Sequence, residues 1–295
     1  MSQQSLRLEQ ADVHSAQKRG RFHWLRVLPS YVFLGGWSLF TILSIAWVVL
    51  ASLKTNRDVF RKPFDIPPDP QFVNYERVWL NSDVGQGFLN SLVIVGISVI
   101  LILLVSSPAS YVLSRAKFRG RGLLTMIYIA GIGVPYPLLF IPLFALLAGL
   151  KLINSIPGLI LVYVSLSIPF TVYILTGFFS SLPQELEDAA VIDGCNDFDV
   201  FRRVMLPLAS PGIITAAIFN FIGLWNEFQL ALIFIQDPDK RPLSLSLYSL
   251  KNAMTYSGDW AGLFAGVVIV IVPTIILFIW LSERMISGIT LGSVK

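Results

Sequence analysis

Six runs of 20 or more predominantly apolar residues punctuate this chain, at Tyr31 to Leu53, Phe88 to Leu113, Leu123 to Leu150, Pro157 to Phe179, Pro211 to Ile235 and Ala261 to Leu281. Each is longer than the roughly 10 to 14 residues of a buried core helix and can cross about 30 Å of hydrocarbon at ~1.5 Å per residue. The composition agrees. Charged residues make up 14% of the 295, against about 25% in soluble domains, and the mean hydropathy is +0.70. Strands with open edges leave backbone groups unpaired in lipid, and the alternation of a membrane barrel is absent. The expected fold is therefore an all-α membrane protein with six transmembrane helices.

Other classes fall away on simple grounds. Cys195 is the single cysteine, so no intramolecular disulfide forms and a structural zinc site, which takes about four ligands, is not expected. The net charge of +4 is scattered over loops rather than gathered into the basic face that nucleic acid requires, so no nucleic-acid partner is expected. His14 and His23 lie in a polar tail with no nucleophile arranged beside them. No G-x-x-x-x-G-K-[ST] phosphate cradle is present, so the chain is expected to be no enzyme by itself.

Charge also orients the spans. Arg7, Lys18, Arg19, Arg21, Arg26, Arg115, Lys117, Arg119, Arg121, Arg202, Arg203, Arg284 and Lys295 fall on the side of the two termini, 13 bases against nine on the other. Four of them crowd the loop Ser114 to Gly122, the short-loop setting in which the positive-inside bias acts most directly. Both termini are expected to be cytoplasmic, with residues 1–30 and 282–295 as tails. The N-terminal segment has no signal-peptide core, so the first run is expected to remain as a span. The outer segments Lys54 to Gly87 and Gln236 to Trp260 carry Pro, Asp and Tyr and are expected to form ordered caps. Residues 88–281 form the core.

Interruptions mark where chemistry or motion can sit. The third run contains Gly131, Gly133, Pro135, Pro137 and Pro142, the fourth Pro169 and the sixth Pro273. An internal proline removes a donor and clashes with the preceding turn, which in lipid is tolerated where protein or a cavity re-satisfies the freed groups. In the fifth run, Trp225-Asn226-Glu227-Phe228 places a carboxylate in an apolar stretch, which makes Trp225, Asn226 and Glu227 candidates for a substrate pathway. The bland reading sets Glu227 at the outer interface between belt aromatics. Gly262 and Gly266 form a small-xxx-small pair.

Between the fourth and fifth runs, residues 181–207 read as two short helices. Ser181 before Pro183, the acids Glu185, Glu187 and Asp188, and Gly194 are start and stop signals of the first. Leu186, Ala189, Ala190 and Asp193 share one stripe whose small alanines suit close docking in a partner groove. In the second, Asp197 can cap the start, and Phe198 and Phe201 share a face at i and i+3.

Asp188-Ala189-Ala190-x-x-Asp193-Gly194, followed by Leu206-Pro207, resembles the cytoplasmic EAA loop of permease subunits of binding-protein-dependent ABC importers. Asn90-Ser91-Leu92, Tyr111-x-x-Ser114-Arg115, Phe118-x-Gly120-Arg121, Pro169-Phe170, Gly177-Phe178-Phe179, Trp225 to Phe228 and the terminal Gly288 to Lys295 extend the likeness to the carbohydrate-uptake branch, the group of the maltose transporter's smaller membrane subunit. Asp188 stands where that family prefers Glu, and Cys195 where it usually has alanine. The resemblance implies a type I importer fold and an inner-membrane location. It also implies a second permease subunit, two ATPase subunits that bind ATP and Mg, an extracytoplasmic solute-binding protein and a sugar substrate. It assigns ATPase coupling to Glu187, Asp188, Ala189, Ala190, Asp193, Gly194, Phe198 and Phe201, and tail docking to Gly288, Thr290 and Gly292 on an extended backbone. The competing class is a secondary carrier or channel that uses Glu227 as an ion site.

Overall fold

The computed structural model describes the backbone of residues 3–293 and the side chains of residues 27–280. No strand occurs among the described residues. Four helical stretches are long and apolar enough to cross a membrane, Val27–Ser52, Val84–Arg115, Ile156–Ser181 and Trp260–Trp280, and two bent pairs raise the number to six if each pair is one span. The all-α, multi-span expectation holds, with two spans built differently from straight rods.

The third span breaks into Arg121–Ile132 and Tyr136–Gly149, which meet at 102°. Pro135 stands in extended conformation at the break, where its ring disfavours helix for Val134, and Pro137 then begins the next helix with no donor to lose. Gly131 lies against the fourth span: a Cβ there would come within 3.2 Å of the Pro169 ring. Two residues singled out by their sequence thus meet across the helix pair.

The fifth run is the larger correction. Its helix is Ser210–Trp225, not Pro211 to Ile235. At 16 residues it spans about 24 Å, and the chain turns at Asn226 before the short helix Gln229–Phe234. The helix Asp197–Leu208 precedes it at an angle of 71°.

The centre is held by the second and fourth spans. Ser98, Ser106, Ser107 and Ser110 are buried on the second, and small residues let two backbones approach closely in lipid. Ser110 Oγ donates to the Ser106 carbonyl at 2.6 Å and lies 3.2 Å from that of Val172 across the pair. Asn220 Nδ2 donates to Thr171 Oγ1 at 2.9 Å, joining the fifth span to the fourth. Residues 28–46 of the first span, by contrast, are all exposed; that span touches the rest at its C-terminal end, where Trp47 meets Phe264 edge-on at 5.3 Å.

The segments 54–87 and 236–260 are folded into short helices and packed on the spans. The helices Asn56–Arg61 and Val73–Asn81 lie on one, and Leu243–Ser257 on the other. Asn74 Nδ2 donates to the carbonyls of Ser52 and Lys54 at the end of the first span. Asn90 Nδ2 does the same for Asp239 and Arg241, and Arg77 pairs with Asp259 at 2.8 Å. On this side, Asp237 is held below the ordinary carboxylate range by its Lys240 partner and by the Asp239 amide. Gly266 admits the cap helix closely, since a Cβ would meet Leu250 at 2.9 Å, whereas a Cβ on Gly262 meets the carboxylate of Asp259. Only Gly266 of that pair serves helix approach.

The last helix runs Trp260–Ser293, so the backbone through Gly288, Thr290 and Gly292 is helical rather than extended. No proline interrupts it after Pro273, and propagating an existing helix adds a bond per residue without a new nucleus. The side chains of these three tail residues lie outside the described residues.

Candidate functional site

Two places carry the polar chemistry, one on the basic side and one near the opposite face. On the basic side the fourth span ends at Ser181, one turn beyond which the helix Glu185–Ile192 begins. Gln184, not Ser181, occupies its N-cap and makes no side-chain cap bond. Three acids, Glu185, Glu187 and Asp188, fill the first turn, where the helix dipole favours negative charge. The chain reverses at Gly194, with φ +86°, a conformation that side chains oppose.

The stripe read from the sequence divides in the structure. Ala190 is buried and packs with Leu175, Phe179, Val200, Met205, Ala209 and Ala216 of this same chain. It therefore faces inward, and its small side chain lets the helix lie close on its own core. Ala189, Asp188 and Asp193 are exposed. The outward apolar surface comes from Val191, from Ile192 at 86% exposure and from Phe198 at 66%.

Phe198 and Phe201 also part company. Phe201 turns inward onto Tyr111, ring centroids 5.2 Å apart, and Phe179 at 6.4 Å. The cause is local: Val200–Met205 is wound as a π-helix, whose i→i+5 bonding opens the turn and rotates Phe201 away from Phe198. Asn196, not Asp197, caps this segment, its side chain accepting from the Asp199 amide at 2.9 Å.

Arg115, last residue of the second span, reaches into the same corner. Its Nη2 donates to the carbonyls of Phe179, at 2.6 Å, and Leu182, at the end of the fourth span, where intrahelical donors run out. Its Nε lies 3.2 Å from Glu187 Oε1. Both side chains of the pair are largely buried, so Glu187 points inward, away from the exposed face. Burial pushes the Glu187 carboxyl above the ordinary range; Arg115 pulls it down and Asp188 adds to the rise. In the sequence Arg115 stands out as one of four loop bases and in the motif Tyr111-x-x-Ser114-Arg115, neither of which gives it a partner; a cation on the last turn of a span is the signal that marks it.

Near the opposite face, Glu227 sits in the turn after Trp225. Its Oε1 accepts from the Leu230 amide at 2.7 Å and its Oε2 from the Ala231 amide at 3.2 Å, so the carboxylate satisfies the first free donors of Gln229–Phe234. Tyr163 donates to Oε2 at 2.7 Å from the fourth span, and Ser244 of the cap donates to the Glu227 carbonyl at 2.6 Å. Glu227 is a fastening between three elements. Trp225 is buried, stacks on Phe221 at 5.4 Å and donates through Nε1 to the Val270 carbonyl at 3.0 Å, so it belongs to the core and not to a pathway surface. Asn226 is exposed; its amide nitrogen donates to the Ile222 carbonyl at 2.8 Å. No cluster of three or more metal-ligating side chains occurs among the described residues.

Comparison with known proteins fits this architecture. The family described as binding-protein-dependent transport system inner membrane component matches residues 106–285. The diacetylchitobiose uptake system permease protein NgcG of Streptomyces coelicolor is 37% identical over 266 residues, covering 90% of this chain and 88% of that protein. The sulfoquinovosyl glycerol transport system permease protein SmoH of Agrobacterium fabrum is 35% identical over 250 residues, 84% of this chain and 87% of its own. In fold, the chain resembles a crystal structure of a bacterial ABC transporter involved in the import of the acidic polysaccharide alginate, with a TM-score of 0.77 and 23% identity over 87% of this chain and 95% of that one.

Proposed function

This chain belongs to the binding-protein-dependent transport system inner membrane component family, and from that premise we propose that it is the membrane subunit of an ATP-driven importer for an oligosaccharide or related sugar. It is a multi-pass permease of the inner membrane. The observation that carries the reading is the surface-mounted helix pair between the fourth and fifth spans, with Val191, Ile192 and Phe198 exposed beside Asp188. An apolar helix face rimmed by acids suits a groove on a partner subunit.

In this reading two ATPase subunits receive that face, bind ATP and Mg, close around the bound ATP and reopen after its hydrolysis. A second permease completes the pathway, and a solute-binding protein delivers cargo to the capped outer side with both termini cytoplasmic. The carbohydrate class rests on relatives whose names specify diacetylchitobiose, arabinooligosaccharides and trehalose. Asn226, exposed where the fifth span breaks, is suited to sugar hydroxyls, since its amide oxygen remains available to accept. The carrier alternative loses its support because the Glu227 carboxylate is occupied by two backbone amides and Tyr163.

The test is co-purification from native membranes followed by reconstitution. The chain is expected to bring an ATPase with it and to take up a labelled oligosaccharide only with ATP and a binding protein. Ion-driven flux through the chain alone, with no ATPase attached, would replace this reading by the carrier.

A further inference from the structure

The end of the second span touches the end of the fourth and both helices of the segment 185–205. Tyr111 and Arg115 lie four residues apart on one helix face. Tyr111 packs edge-on against Phe179 at 5.7 Å and, with the rings tilted at 36°, against Phe201 at 5.2 Å. One turn further, Arg115 binds the carbonyls of Phe179 and Leu182 and faces Glu187. Arg115 Nε and Glu187 Oε1 are sealed from solvent and have no hydrogen-bond partner besides this contact.

From this geometry we infer that Arg115 is a joint tying the coupling helix to the second and fourth spans, and that Glu187 is a positioning residue that acts through Arg115 rather than a contact to the ATPase. The inference rests on the importer reading for its consequence and on the structure for its geometry. The planar guanidinium alone has donors enough to hold two carbonyls and a carboxylate at fixed angles. The second and fourth spans are already closely packed through Ser106, Ser107 and Ser110. A displacement of Glu185–Ile192 therefore carries both spans as one body, instead of bending the loop at Leu182. Removing an opposite charge from a buried pair leaves its partner uncompensated, so the two residues should depend on one another.

The test uses the whole complex in proteoliposomes with Arg115→Lys, Glu187→Gln and both together. Lysine keeps the cation but, as a compact charge, does not reproduce the fork. Each single variant should retain its ATPase subunits and basal hydrolysis while uptake per ATP falls about fivefold or more. The double variant should be no worse than the worse single, because the same link is cut. Additive losses, release of the ATPase by Glu187→Gln, or full coupling in Arg115→Lys would overturn the joint. Amide hydrogen exchange across residues 185–192 reads the same link without transport. It should rise equally in both singles and the double, and unchanged exchange in Arg115→Lys overturns the joint even if the importer reading itself stands or falls. Absence of ATP-dependent uptake in the unaltered complex counts against the importer reading alone.

Discussion

The phenol of Tyr163, on the fourth span, donates to Glu227 Oε2 at 2.7 Å, and this bond makes the carboxylate in the fifth apolar run a structural fastening. Glu227 caps Gln229–Phe234 and receives Tyr163 with the same two oxygens. Glu227→Leu removes the acceptor for three donors at once and should lower stability by about 2 kcal/mol or more, visible as earlier thermal unfolding of the detergent-solubilised complex. Glu227→Gln keeps one acceptor oxygen but sets an amide donor where the other stood, so it should unfold between the unaltered protein and Glu227→Leu while still transporting. Loss of transport in Glu227→Gln with unchanged stability would instead mark an ion site.

At Gly194 the constraint is backbone conformation alone, since φ is +86° and a Cβ would meet nothing within 4 Å. Gly194→Val should therefore cost about 1–2 kcal/mol of local strain and reduce substrate-stimulated ATP hydrolysis without affecting membrane insertion. Gly194→Asn, which tolerates that region better, should be milder. Equal behaviour of the two variants would point to packing rather than φ.

The two faces of the helical segment 185–205 should respond oppositely. Ile192→Asp and Phe198→Ala alter exposed residues and should weaken ATPase binding by about 1–3 kcal/mol each without changing the thermal stability of the free chain. Ala190→Leu overpacks a buried site and should lower that stability by about 1–3 kcal/mol. Pull-down and thermal unfolding, measured together, separate them.

Acidity offers a further check. Burial raises the Glu187 carboxyl above its ordinary value, so the folded chain holds this proton more tightly than the unfolded one. Its contribution to stability is present below the ordinary carboxylate range and is lost as pH rises through the raised value. Glu187→Gln should flatten the part of the stability profile that falls as pH rises above the ordinary carboxylate range. An unchanged pH profile in Glu187→Gln would show that this carboxyl does not carry the dependence.

Orientation is checked by labelling in intact cells, with Cys195 replaced by alanine. Cysteines at Arg57 and Asp239 should react with an impermeant reagent from outside, and one at Arg119 should react only after the membrane is opened. The positive-inside bias of the loop Ser114 to Gly122 sets this expectation. Ready outside labelling at Arg119 would invert the topology.

The linear chain is sufficient to determine the all-α, multi-span class, the break in the third run and the reversal at Gly194, because each follows from neighbours in sequence. Twenty apolar residues demand a helix in lipid, Pro135 cannot continue one, and a glycine after an acid-started turn ends it. The EAA-like spacing was likewise local. Direction was not. Whether Ala190 faces a partner or its own core depends on Leu175 and Met205, and the π-winding that parts Phe198 from Phe201 has no period to announce it. The inward turns of Glu187 toward Arg115 and of Glu227 toward Tyr163 join residues 72 and 64 positions apart in the chain. Only tertiary packing decides such pairs, because a buried charge must find its partner wherever the fold has placed one.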